Sequence, residues 1–444
     1  MQTLSQQMAA FITADINKQL TPEIYQTVQL AFLDTAGCIL SGRDEPVTRV
    51  FGSWINQRYL NVKEASLFFS GQKHSTVTAA MLNAVSGHAL DFDDVALAGH
   101  PSVVLVPALW AESERSGMKG KAIVSAYVKG YEVWADILNR LPDPMHEKGF
   151  HPTAVLGTMA VTAALCAARQ LSPEQTAHAL GMAASRASGL VANFGSMSKP
   201  LHAGWAVEYG YSAVELAQLG ATASADALEG ATGFLTALAD KQPPERKQAF
   251  NATGEFTINT VKPSVKKYPV CYASHRIIDG VLALRQKHDL PLERIQTIHA
   301  CMSETTARVL KYPQPSTPLE AKFSLQFACA AALIHGEVSL PVLTDETLKN
   351  PLLHRLMQKV TVSTINRPCP LEPSFAFEDE VSIMLDNGQL FDSGPIRFAL
   401  GHAQLPLMPE QIESKILSCV YPHEQEQTRT LIANINQLFS QNAA

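Results

Sequence analysis

From Thr21 to about Leu238, apolar positions recur every three or four residues, in segments separated by short polar connections. The first clear segment opens at Thr21-Pro22, a capping hydroxyl followed by proline at the first helical position. It places Ile24, Val28, Ala31 and Thr35 on one face. Ser172-Pro173-Glu174-Gln175 is a second helix start, in which serine and the glutamine three residues on form a capping box. The least charged stretch, Pro152 to Ala168, is too short and too weakly apolar to cross a bilayer and reads as a buried helix. Ala and Gly are frequent on these apolar faces, which predicts helix axes that approach closely.

The pattern changes after Gly254. Runs rich in β-branched residues predict strands at Phe256–Val261, Thr297–Met302, Val360–Ile365 and Val381–Leu385, the last followed by the hairpin signal Asn387-Gly388. Helical segments at Ile277–Arg285 and Phe323–Ile334 lie between them. From Pro409 the helical pattern returns, with Ile412, Ile416 and Leu417 on one face, and resumes at Thr428. The chain therefore reads as mainly α with an α+β insert, and shows no internal repeat.

A chain of 444 residues, 46% hydrophobic and 17% charged, can bury a large core and form two domains. Its net charge of −6, from 35 basic and 41 acidic residues, argues against nucleic-acid or membrane partners. The opening MQTLSQQMAAFITADINKQL has no basic stretch followed by an apolar run, so a cytoplasmic location is expected. Seven scattered cysteines without a CxxC pair suggest reduced core thiols rather than zinc or an iron–sulfur cluster; Cys271 alone stays a candidate for function.

Four clusters carry chemistry. In Gly87-His88-Ala89-Leu90-Asp91-Phe92-Asp93-Asp94, followed by Gly99-His100-Pro101-Ser102, three aspartates fall within four positions at the end of an apolar helix. Continued helical geometry would put His88, Asp91 and Asp94 on one face; the alternative is a solvated helix end. His151, before the Ala-rich helix, has an imidazole that either enters a cleft or packs. In Ser198-Lys199-Pro200-Leu201-His202-Ala203-Gly204 a lysine stands before proline, as a constrained functional group or a surface charge on a turn. The run from Val265 to His275 gathers Lys266, Lys267, Cys271 and His275 where the composition changes, as cleft residues or solubilising charges. Histidines, aspartates and lysines without metal-ligand spacing or a phosphate loop point to metal-free acid–base chemistry on an anion. Removing a proton beside a carboxylate needs a base, cations for the developing charge, and an acid for the leaving group.

These motifs, in this order and spacing, resemble the MmgE/PrpD family, which includes 2-methylcitrate dehydratase and cis-aconitate decarboxylase. The resemblance runs through Asn83–Asp94, His100–Ser102, Pro107–Glu112, Gly130–Glu132, Gly149–Gly157, Ser198–Gly204, Lys266–Pro269 and Ala321–Ser324. It implies a large helical domain from residues 1–262 and 398–444, a smaller α+β lid domain over 263–397, an active site between them, and a homodimer. It places the family's active-site residues on Asp91, His100, His151, Lys199 and Lys266, with His88, Asp94 and Lys267 as neighbours; Cys271 and His275, from the run at the composition change, join these as candidate substrate-binding residues. Two positions depart from cis-aconitate decarboxylase: Val95 stands where that enzyme has threonine, and Cys271 where it has histidine.

The expected activity is a cofactor-free, metal-independent lyase acting on a small di- or tricarboxylate, first of all a 2-methylcitrate dehydratase-like hydro-lyase. Lys199 and Lys266 hold carboxylates, His151 or His100 moves the proton, and Asp91 orients the imidazole. The alternatives are an epimerase, isomerase or decarboxylase of the same family, a magnesium-dependent helical prenyl-diphosphate enzyme using Asp91–Asp94, and a non-catalytic binding protein.

Overall fold

The computed structural model describes residues 2–59, 62–68, 71–251 and 254–440. Contacts within the chain divide it into two units. The first comprises residues 1–192, 197–263 and 408–444, and the second residues 193–196 and 264–407.

The first unit is helical. Its elements are α1 (Leu4–Thr13), α2 (Pro22–Gly42), α3 (Pro46–Arg58), α4 (Thr76–His88), α5 (Ser102–Ser116), α6 (Gly120–Asn139), α7 (Pro152–Ala168), α8 (Pro173–Ala184), α9 (Ser198–Gln218) and the short α10 (Phe234–Leu238). A two-residue antiparallel ladder joins β1 (Ala65–Ser66) to β2 (Lys73–His74). Thr21 caps α2 and Ser172 forms a capping box on α8, both as their sequences predict. The apolar stretch from Pro152 is buried as α7, which packs on α6 and α9, while α4 packs on α2, α5 and α9. Among the described residues, no helix is long and apolar enough to cross a membrane.

Small residues set these spacings. A Cβ added at Gly204 on α9 would stand 2.6 Å from Val85 Cγ2 and 3.2 Å from the Met81 carbonyl oxygen, both on α4. Close approach of α4 and α9 matters because each carries part of the site described below.

The second unit mixes helices with one sheet. Its helices are α11 (His275–Lys287), α12 (Glu304–Val309), α13 (Pro318–Ala321), α14 (Leu325–His335), α15 (Asp345–Leu348) and α16 (Pro351–Met357). The sheet contains β3 (Ile295–Ser303), β4 (Val360–Ile365), β5 (Glu380–Leu385) and β6 (Leu390–Asp392), in the order β4-β3-β5-β6. β3 runs parallel to β4, with Ile298 opposite Val360, and antiparallel to β5, while β5 and β6 form a hairpin. Asn387-Gly388 makes that turn, with Gly388 at φ +82° and the Leu385 N–H donating to the Gln389 carbonyl. The chain then returns to the first unit as α17 (Pro409–Ser418), packed on α2, and α18 (Gln425–Ser440).

One predicted strand is wrong. Thr257–Asn259 forms a 3₁₀ turn within Phe256–Val261. The buried carboxylate of Glu132 on α6 accepts the N–H groups of Thr257 at 2.8 Å and Ile258 at 3.0 Å, and Tyr131 donates its hydroxyl to the Val261 carbonyl at 2.6 Å. Backbone groups satisfied in this way have no call for a β ladder, whatever the propensity of the side chains.

Candidate active site

The helix α4 ends at His88, and the aspartate-rich segment does not continue it. Asp91 takes φ +53°, a left-handed conformation that aspartate tolerates better than most residues, and Leu97 and Ala98 follow at +50° and +62°. The expected shared face of His88, Asp91 and Asp94 is therefore absent: after the reversal at Asp91 it is Asp91 and Asp93 that lie close to His100, while Asp94 bonds Ser102.

Asp91 accepts the ammonium of Lys199, which stands in the first turn of α9. Asp93, fully buried, has His88 Nδ1 3.0 Å from both carboxylate oxygens and His100 Nδ1 3.0 Å from Oδ2. Asp94 turns away and accepts the hydroxyl of Ser102, which is 2.8 Å from the Tyr127 hydroxyl. Burial, reinforced by Asp34, drives the Asp94 carboxyl well above the usual range.

Burial opposes the ionisation of Asp93, but His88 and His100 outweigh it and hold this carboxyl well below the usual range. Burial likewise pushes the His88 imidazole down to about 4 against the pull of Asp93. At neutral pH the pair is thus an ionised carboxylate and a neutral ring. Because the carboxylate only accepts, the His88 proton sits on Nδ1. His88 Nε2 is left buried without a hydrogen-bond partner among the described residues.

His151, at the N-cap of α7, stacks on His88 with ring centroids 5.7 Å apart and planes 13° from parallel. Its Nδ1 lies 3.1 Å from Nδ1 of His202, one turn along α9 from Lys199. Burial, then the nearby Lys199 ammonium, hold His151 well below 6.5 and His202 at about 4. His100 completes the group, its ring 4.7 Å from that of His88 and its Nε2 3.6 Å from Asp91 Oδ1.

Of the residues singled out from the sequence, His88, Asp91, His100, His151 and Lys199 come together in this one cluster. Asp94 is adjacent but engaged elsewhere. Lys266, Lys267, Cys271 and His275 belong to the second unit. There Lys266 is buried and Lys267 exposed, with its Nζ 5.2 Å from the Tyr268 ring centre. Cys271 is half-buried, and its N–H donates to the Lys322 carbonyl. His275 is fully buried, packed against the Tyr268 and Tyr272 rings with Nε2 3.3 Å from the Val270 carbonyl oxygen.

Two members of the cluster, Asp93 and His202, stand in the sequence motifs but are not assigned to the site from them. Asp93 could not be told from its neighbours without the reversal at Asp91. His202 had a usable signal, since three residues after Lys199 on a helix is the same face. Asp91 lies 3.6 Å from His100 Nε2, while Asp93 lies 3.0 Å from His100 Nδ1 and also engages His88.

One donor atom from each of His88, Asp91, Asp93 and His100 can be chosen so that all four lie within 4.8 Å of one another, a set of the kind that holds a divalent cation. Lys199 already bonds Asp91, and Asp93 lies between two imidazoles. An ammonium on one prospective ligand opposes a second positive charge in the same place.

Comparison with known proteins agrees with the resemblance seen in the motifs. The MmgE/PrpD N-terminal domain matches residues 6–247 and the MmgE/PrpD C-terminal domain residues 268–440. The chain is similar to cis-aconitate decarboxylase of Mus musculus, 29% identical over 349 residues, covering 76% of this chain and 70% of that protein. It is 27% identical over 408 residues to cis-aconitate decarboxylase of Homo sapiens, covering 89% and 83%. With cis-aconitate decarboxylase of Aspergillus terreus it shares 26% identity over 317 residues, covering 66% and 64%. With more than half of its length matched by the N-terminal domain alone, this chain belongs to the MmgE/PrpD family.

Proposed function

We propose that this protein is a lyase that removes a proton from the carbon next to a carboxylate of a small di- or tricarboxylate, in the manner of a 2-methylcitrate dehydratase. The observation that carries the reading is the buried cluster in which Lys199, four imidazoles and two carboxylates meet. Lys199 exchanges Asp91 for a substrate carboxylate and stabilises the enediolate-like charge. An imidazole, His151 or His100, takes the proton as the C–H bond breaks, and Asp93 holds the neighbouring rings in their required tautomer. The electron pair left on carbon forms the alkene as hydroxide departs, protonated to water by an acid of the site. In the reading that the resemblance implies, Lys266 supplies a second ammonium for the substrate.

A second reading, favoured by the names of the relatives, is loss of carbon dioxide from cis-aconitate, with a proton delivered to the carbon it leaves. Val95 and Cys271 weigh against it, because they lack the hydroxyl and the imidazole that cis-aconitate decarboxylase carries at the matching positions, and a buried polar group left unpaired costs about 1–3 kcal/mol.

The test is to mix the chelator-treated protein with 2-methylcitrate, citrate, cis-aconitate and aminated dicarboxylates, following alkene absorbance and proton exchange by NMR. Turnover without metal is expected, abolished in Lys199→Ala and reduced at least about 10²-fold in His151→Asn. Full activity of Lys199→Ala removes the proposed role of that lysine, and activity that depends on added cation replaces this mechanism with a metal-assisted one.

A further inference from the structure

The segment between Asp91 and Asp93 is held by a residue far away in the sequence. Lys415, on α17, is buried and donates from Nζ to Asp34 Oδ1 on α2 at 2.6 Å and to the Phe92 carbonyl oxygen at 2.8 Å. The same Nζ lies 4.0 Å from the centre of the Phe92 ring. Phe92 separates the aspartate that binds Lys199 from the one that lies against His88 and His100.

Bridging α2 to α17 needs only the bond to Asp34, so the bond to Phe92 calls for a separate reason. Left-handed φ values at Asp91, Leu97 and Ala98 give a segment that needs its surroundings to hold it in shape. An ammonium can satisfy an anion and a carbonyl together, with its three donors spread around one point. Lys415 also supplies positive charge to a region where the Asp34 and Asp94 carboxyls, both buried, lie near Asp93.

We infer that Lys415 is a positioning residue for the reaction: by fixing the Phe92 carbonyl against Asp34, it aims Asp91 at Lys199 and Asp93 at His88 and His100. The inference rests on reading that cluster as the proton-transfer centre. It gives α17 a part in catalysis without contact to substrate.

The informative variant is K415M/D34N, which removes both charges of the ion pair together, so that neither is left buried without the other. Expected are wild-type circular dichroism, kcat lowered by about 10- to 100-fold with KM little changed, and shifted imidazole ¹⁵N resonances of His88 and His100, while exposed His354 does not move. A folded double variant with wild-type kcat and unmoved His88 and His100 resonances overturns the inference. If the wild type turns over none of the polycarboxylates, the proposed reaction falls, and the imidazole resonances still decide whether Lys415 positions the segment. Should K415M/D34N fail to fold, K415R serves: its planar fork keeps the charge but not the compact geometry, so the same shifts are expected, and their absence refutes the role.

Discussion

Asp93→Asn is the substitution that separates this arrangement from a generic polar cluster. It preserves shape and removes charge. In the wild type both carboxylate oxygens lie 3.0 Å from His88 Nδ1, and Oδ2 lies 3.0 Å from His100 Nδ1. An amide has one acceptor oxygen and two N–H donors, so at least one imidazole meets a donor instead of an acceptor and must rotate or change tautomer. A lost charge-assisted hydrogen bond costs about 1.5–3 kcal/mol. That loss is partly offset because an ionised carboxylate need no longer be buried, so net destabilisation should stay below about 3 kcal/mol and the protein should fold. Turnover should suffer more: losing a correctly held proton-transfer group lowers kcat by about 10²–10⁴-fold, equivalent to about 3–5 kcal/mol in the barrier. The assay is steady-state kinetics on the best substrate across pH, with urea unfolding as the control for stability. A folded variant with kcat within about threefold of wild type and an unchanged pH profile refutes the role given to Asp93.

Two further outcomes are expected. His88 and His202 are held at about 4 in the fold but titrate near 6.5 when unfolded, so the unfolded chain takes up protons first. Stability is therefore complete above about 6.5 and declines as pH falls towards 4, which urea midpoints between pH 4.5 and 7.5 will register; a flat profile contradicts buried neutral rings. Gly204→Ala forces a Cβ to within 2.6 Å of Val85 Cγ2 and should cost about 1–3 kcal/mol with a lower Tm. An unchanged Tm would mean that α4 and α9 separate freely.

Local features were legible in the sequence wherever the determining groups are close along the chain. The caps at Thr21 and Ser172, the buried helix from Pro152 to Ala168, the strands around Ile298, Val362 and Ile383, and the turn at Asn387-Gly388 all follow from side chains within a few residues. Motif order likewise points to the family, because it is a property of the sequence alone. Tertiary structure alone decided the pairings. His88 ends α4, His100 precedes α5, His151 caps α7, and Lys199 and His202 begin α9, so their partners depend on how those helix ends converge. The same holds for Glu132, which turns a strand-like segment into a 3₁₀ turn, and for Lys415, which reaches Asp34 and Phe92 across more than 300 residues of chain. Hydrogen bonds between buried groups depend on distance and direction to within a fraction of an ångström, and nothing in the order of residues specifies that until the core has packed.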